Sequence, residues 1–154
     1  MDQPRSSETQ VKSSLWLLMS SVATRFGRET LRGLTGCKIG MQGARVLIHL
    51  LEQENLRCAS LATAVGLEAT ALSHLMRSLA DQGLIQRARS SGDQRGIEVS
   101  LTAKGREVAQ MCREVNAQTE ELLMSGLTAA DVQNLHATLS RMSANLETTG
   151  ANGA

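Results

Sequence analysis

Apolar residues in this chain recur with two different periods, and the changes between them mark out its elements. Leu15, Leu18, Met19, Val22 and Phe26 fall three or four positions apart, an apolar stripe that predicts a helix over about Val11 to Leu34. Val46, Leu47, Leu50 and Leu51 predict a second helix, about Met41 to Glu54, with these four turned inward. Between Ser60 and Gly83 the spacing predicts a short helix (Leu61 to Val65), a turn at Gly66-Leu67 and a longer helix (Glu68 to Gln82) stopped by Gly83. Leu72, Leu75, Met76 and Leu79 form the inner face of that longer helix. The period then drops to two. Leu84 and Ile85 open one strand, and Ile97, Val99 and Leu101 alternate with Glu98 and Ser100 in the next. Ser90, Ser91, Gly92 and Asp93 make the turn between them. Helical spacing returns after Thr102, the expected cap of a helix reaching about Ser125 with Val108, Met111, Val115 and Leu122 on one side. Thr128 and Asp131 then resemble a capping box, with an acid in place of the usual Glu or Gln. The last helix carries Val132, Leu135, Leu139, Met142 and Leu146 at steps of three and four, a coiled-coil-like seam that needs another helix to cover it.

Two helices joined by a tight glycine-containing turn predict a helix-turn-helix. The outward face of its second helix shows Thr70, Ser73, His74, Arg77 and Asp81, side chains able to hydrogen-bond base edges in a major groove. An ordinary solvated face would look the same. The segment after this helix is more specific: a two-stranded ribbon carrying Arg87, Arg89 and Arg95 with only Asp93 and Glu98 nearby, a narrow basic finger suited to a phosphate-lined minor groove. The combination predicts a DNA-binding protein. Glu68, Ala69, Thr70, Ser73, His74 and Arg77 form its recognition helix, and Arg87, Arg89, Ser91, Asp93, Gln94 and Arg95 its wing. Glu68 is not a usual N-cap residue; capping the helix and accepting from a cytosine amino group are both open to it, with capping favoured.

Charge distribution changes the picture more than net charge does. The 154 residues carry a formal net charge of only +1, which taken alone speaks against nucleic acid. However, residues 77–106 hold 6 Lys/Arg against 3 Asp/Glu, whereas residues 107–154 hold 2 against 6. Positive charge thus gathers on the second helix and wing, and the acidic C-terminal segment belongs away from phosphate. No apolar run approaches the ~20 residues of a membrane span, and the first residues lack an export signal core, so a cytoplasmic protein is expected. Cys37, Cys58 and Cys112 have no metal-ligand spacing and make no disulfide framework. His49, His74 and His136 fall on three separate predicted helices. With no phosphate-binding loop, nucleophile elbow or metal-binding helix motif, neither an enzyme nor a cofactor or metal site is expected.

The expected fold is mainly α with a small β-wing: a winged helix-turn-helix lobe over about residues 41–101, flanked by dimerisation helices over about 11–34 and 103–146, in one subunit spanning 1–154. Both terminal regions offer apolar seams with little core of their own to lie on, which predicts a two-fold dimer. This order of elements resembles the MarR family of bacterial transcription regulators over about residues 12–146. The resemblance is most specific at Leu61-Ala62, at Gly83-Leu84-Ile85, at Asp93-x-Arg95 and at Leu101-Thr102-x-x-Gly105. It implies that Arg95 enters the minor groove and that Asp93 helps hold the wing. It also implies a homodimeric repressor, or less often an activator, released from a pseudo-palindromic operator by a small-molecule effector such as a phenolic or other anionic aromatic compound.

In such proteins the effector crevice lies between the dimerisation helices and the DNA-binding lobe. Trp16, Met41, Arg45 and His49 are the matching candidates here. Arg45 and His49, four apart, suit a carboxylate or phenolate, but a surface ion pair and a partly buried histidine account for them more simply. With no Tyr, one Phe and one Trp, an aromatic-lined pocket is not expected. Some relatives sense peroxide through a cysteine. Cys37, in a loop-like stretch near Arg32 and Lys38, is the redox candidate, although it does not fall where the family's sensing cysteine does. Cys58 and Cys112 read as small core residues. Two alternatives therefore stand beside the effector-released repressor: a thiol-based sensor of the same fold, and a winged helix used only for protein contacts.

Overall fold

The computed structural model describes residues 5–54, 56–89 and 97–150. Its elements run in the order α1 (Arg5–Gly33), α2 (Met41–Glu52), β1 (Leu56–Arg57), α3 (Cys58–Val65), α4 (Ala69–Asp81), β2 (Ile85–Arg89), β3 (Ile97–Leu101), α5 (Ala103–Met124) and α6 (Ala129–Gly150). They form two compact units, Met1–Thr119 and Glu120–Ala154, with the boundary inside α5.

The core of the first unit draws on every predicted inner face of the lobe. Val46, Leu47 and Leu50 from α2, Leu61 and Val65 from α3, and Leu72, Met76 and Leu79 from α4 are all buried. Ile85, Val99 and Leu101 close it from the sheet, and Leu34 and Ile39 from the α1–α2 connection. The sheet has three antiparallel strands in the order β1-β3-β2. Its register pairs Ile85 with Leu101, Arg87 with Val99 and Arg89 with Ile97. Strand β1, two residues long and paired with Val99 and Glu98 of β3, was not predicted. Two residues are too few to display an alternation.

Three boundaries also move. Helix α1 begins at Arg5, well before the apolar stripe, because extending a formed helix costs far less than starting one. Helix α3 begins at Cys58 rather than Leu61, its extra residues being small ones that leave no periodic signal. Helix α2 ends two residues early, at Glu52. Helix α5 packs on the core through only part of its predicted apolar side. Met111 and Leu122 are exposed, and Gly105, Ala109, Cys112 and Thr119 are buried instead, with Val108 and Val115 half-buried. Close approach selects these small residues. A Cβ on Gly105 would lie 1.7 Å from the carbonyl oxygen of Leu84.

In the second unit, Thr128 and Asp131 form the expected capping box. The backbone N–H of Thr128 donates to Asp131 Oδ2 at 2.9 Å, and the N–H of Asp131 donates to Thr128 Oγ1 at 3.2 Å. The Thr128 hydroxyl also donates to Asp131 Oδ2, at 2.6 Å. These bonds to the Thr128 side chain and backbone hold the Asp131 carboxyl below its ordinary pKa.

Large apolar residues remain exposed in each unit: Leu15, Trp16, Leu17, Leu18, Met19 and Val22 on α1, and Leu135, Leu139 and Leu146 on α6.

Candidate nucleic-acid interface

The helix-turn-helix is set by two glycines. Gly66 and Gly83 both adopt the left-handed conformation, at φ 66° and 70°, where a side chain would be strained. Each ends its helix in a Schellman motif. After α3, Leu67 N–H reaches the Ala62 carbonyl at 3.0 Å and Gly66 N–H the Thr63 carbonyl at 3.3 Å. After α4, Leu84 N–H reaches the Leu79 carbonyl at 3.0 Å and Gly83 N–H the Ala80 carbonyl at 2.8 Å. The first motif turns the chain from α3 into α4, and the second turns it from α4 into the wing.

Burying Leu72, Met76 and Leu79 fixes the rotation of α4 and leaves Ala69, Thr70, Ser73, His74 and Arg77 all exposed. Glu68 occupies the N-cap position with extended backbone, and its carbonyl accepts the Leu72 N–H at 2.9 Å. Its side chain makes no capping bond, contrary to the role favoured from the sequence. A Glu side chain carries one methylene more than the Asp that caps well.

In the wing, Ile85 and Arg87 share one face of β2, which passes from the buried Ile85 to the exposed Arg87 as the ribbon leaves the core. Gln86 Nε2 donates to Ser100 Oγ at 3.2 Å across the strands. Ser91, Asp93, Gln94 and Arg95 lie outside the described residues.

A clamp between α4 and α5 sets the wing's base. Thr102 N–H donates to the Leu84 carbonyl at 3.1 Å, and its hydroxyl donates to the Gly83 carbonyl at 2.7 Å. The same hydroxyl accepts the Gly105 N–H at 2.9 Å, capping α5 as predicted. Lys104 Nζ donates to the carbonyl of Gln82, the C-cap of α4, at 2.9 Å. The Leu-Thr-x-x-Gly motif pointed to Thr102 and Gly105. Nothing in the sequence pointed to Lys104, whose partner lies 22 positions away.

The residues expected to line an effector crevice lie on α1 and α2. Trp16 is 69% exposed on α1. Met41 is half-buried against Gly27, Arg45 is exposed with Nη1 donating to Gln42 Oε1 at 3.4 Å, and His49 is half-buried on α2. A cavity of about 310 Å³ lies between the α1–α2 connection, the end of α4 and the start of α5, and none of the four lines it. Cys37 lines this cavity, and its thiol donates to the Met111 thioether at 3.8 Å. Cys58 is half-buried against the core, and Cys112 is fully buried. Burial, and secondly the neighbouring Cys37, push the Cys112 thiol from 9.0 up to about 11. Among the described residues no group of His, Cys, Asp or Glu could hold a metal ion, and no helix is long and apolar enough to cross a membrane.

A glycine-turned helix pair followed by an antiparallel ribbon, with the second helix exposing its polar face, defines a winged helix-turn-helix protein. Residues 41–97 match the model of the MarR family. Among curated proteins it is similar to the HTH-type transcriptional regulator SarZ of Staphylococcus saprophyticus, 28% identical over 76 residues, which cover 49% of this chain and 52% of that protein. The chain spans about half the length of the first curated relatives it matches. Among solved structures it resembles a mutant MarR from E. coli complexed with operator DNA, with a TM-score of 0.75 and 23% identity over 84% of this chain and 93% of that one. It also resembles the S. aureus MepR–DNA complex, with a TM-score of 0.77 and 21% identity over 84% of this chain and 96% of that one.

Proposed function

We propose that this protein is a sequence-specific DNA-binding transcription regulator, acting as a homodimeric repressor that a small-molecule effector releases from a pseudo-palindromic operator. The observation that carries the reading is the exposed face of α4, which presents Thr70, Ser73, His74 and Arg77 without an outward large apolar group beside a ribbon bearing Arg87. A slim polar helix of this kind fits a major groove while the basic wing tracks the adjoining minor groove. Glu68 and Ala69 lie at the N-terminal end of α4, nearest the bases. In this reading Arg95 is assigned the minor-groove contact, with Arg89, Ser91, Asp93 and Gln94 as further candidates for contact with DNA. The family and the operator-bound structures of its relatives support this reading. The apolar residues left exposed on α1 and α6 support a dimer, which would pair two recognition helices about one helical turn apart. The chain's place among regulators gives no support to an enzymatic role.

The test is fluorescence-anisotropy binding to DNA from just upstream of the protein's own coding region, against a shuffled duplex, over ~50–200 mM salt. Preferential binding with a steep salt slope and two chains per site is the expected result. No binding to any duplex at low salt overturns the proposal in favour of a winged helix that contacts protein. Arg95→Ala separates the two further, since it should weaken DNA binding and leave a protein-contact surface intact.

A further inference from the structure

We propose that the cavity beside Cys37 is a binding site for a small aliphatic carboxylate, and that the ligand's charge draws Lys104 away from the end of the recognition helix. This deepens the regulator reading and rests on α4 being that helix. The cavity's volume of about 310 Å³ stands at the lower end of the ~300–1,000 Å³ typical of ligand pockets. Ile39, Leu84 and Val108 give it apolar walls, and Lys38 and Lys104 give it two positive charges. Among the described residues lining it there is no negative charge and no aromatic ring. An alkyl chain against those walls leaves water, while a carboxylate between two ammonium groups makes charge-assisted bonds. A neutral ligand would gain only the first, and an aromatic one would find no ring to stack on.

Lys104 makes the site more than a hole. Its ammonium already donates to the Gln82 carbonyl at 2.9 Å, one of the carbonyls that an α-helix leaves unpartnered at its C-terminal end. A positive charge there also suits the negative end of the helix dipole. A carboxylate is a stronger acceptor than that neutral carbonyl, so a bound ligand competes for the ammonium directly. The competition loosens one of the bonds holding α4 on α5, the others being those of Thr102. By linkage, whatever binding to the cavity costs the DNA-competent setting of α4, DNA returns to the ligand in equal measure.

Cys37 makes the proposal testable without DNA. In the reduced full-length protein, sodium hexanoate should slow alkylation of Cys37 by iodoacetamide saturably, by about fivefold or more, with Cys58 as the internal control in the same digest. Neutral 1-hexanol should not protect. Lys104→Gln should lose the protection and Lys104→Arg should keep it. Saturation-transfer NMR on the hexanoate methyl group compares the same variants without relying on the thiol. Equal protection by hexanol, or equal hexanoate signal from wild type and K104Q, overturns the proposal. On operator DNA, hexanoate should then weaken wild-type binding and leave K104Q unmoved. If the chain binds no DNA, the protection experiment still stands or falls alone.

Discussion

A few single side chains carry much of what can be tested. Arg77 is exposed on the outer face of α4, and two contacts are open to it. If it pairs with a guanine, Arg77→Ala costs about 1–3 kcal/mol and relaxes preference at one base. A phosphate contact instead lowers affinity evenly across sequences and cuts the salt slope by about one unit. Competition binding across single-base operator variants distinguishes these outcomes. Gly105 is the opposite kind of residue, decisive for packing and absent from any surface. A Cβ there meets the Leu84 carbonyl oxygen at 1.7 Å, so Gly105→Ala must displace backbone. It should destabilise the protein by roughly 1–3 kcal/mol or more, read as a lower urea midpoint. Cys112 adds a pH dependence. Its folded pKa of about 11 exceeds the ordinary 9.0, so the folded state keeps a proton that the unfolded chain gives up. The associated stability is complete below about pH 9 and declines as pH rises towards 11. Relative to Cys112→Ala, the wild-type urea midpoint should therefore fall across that window.

Among the elements, the best-read ones were those whose large apolar residues recur regularly. The inner faces of α2 and α4 came directly from such spacing, because those helices pack on the core through Leu, Val and Met. For α5 the spacing predicts the ends and, in Val108 and Val115, only part of the packing face. The helix also packs through Gly105, Ala109 and Cys112, residues too small to dominate a hydrophobic pattern yet favoured where backbones approach closely. Strand β1 and the first turn of α3 were illegible for related reasons of length and size. Of the candidate interface, the polar face of α4 was legible because it is the complement of an apolar face. The cavity was not, since the α1–α2 connection, α4 and α5 supply its walls from three distant stretches of sequence. The Thr128–Asp131 cap was legible because its partners are three residues apart, and it too carries a prediction. With the Asp131 carboxyl held below its ordinary pKa, its contribution is present above the unfolded value of ~4 and disappears as pH falls through the folded one. Amide hydrogen exchange in the first turn of α6 should quicken over that acid range, and Asp131→Asn should remove most of the dependence.

At the scale of the whole molecule, the exposed apolar side chains dominate. Leu15, Leu18, Met19 and Val22 on α1 are spaced to share one face, and all four are exposed in the single chain. Exposed apolar clusters of this kind mark surfaces meant to be covered. Under the dimeric reading, Leu18→Glu places a charge in that cover. Sedimentation should then show a lighter species, and operator affinity should fall much further than loss of any one base contact would cause, since each half-site alone lacks the joint grip of two lobes. An unchanged sedimentation coefficient would remove α1 from the interface.

Trp16 lies among those residues, 69% exposed. The chain has no other tryptophan and no tyrosine, so its near-ultraviolet emission comes almost wholly from this one indole. The protein therefore carries its own unlabelled gauge of the α1 surface. Under the dimeric reading, emission at concentrations where chains pair should lie to the blue of emission at high dilution, and the shift between them reads the association constant directly. The wing and α4 contribute no indole to the signal, so DNA changes the colour only through what it does to the surface around Trp16.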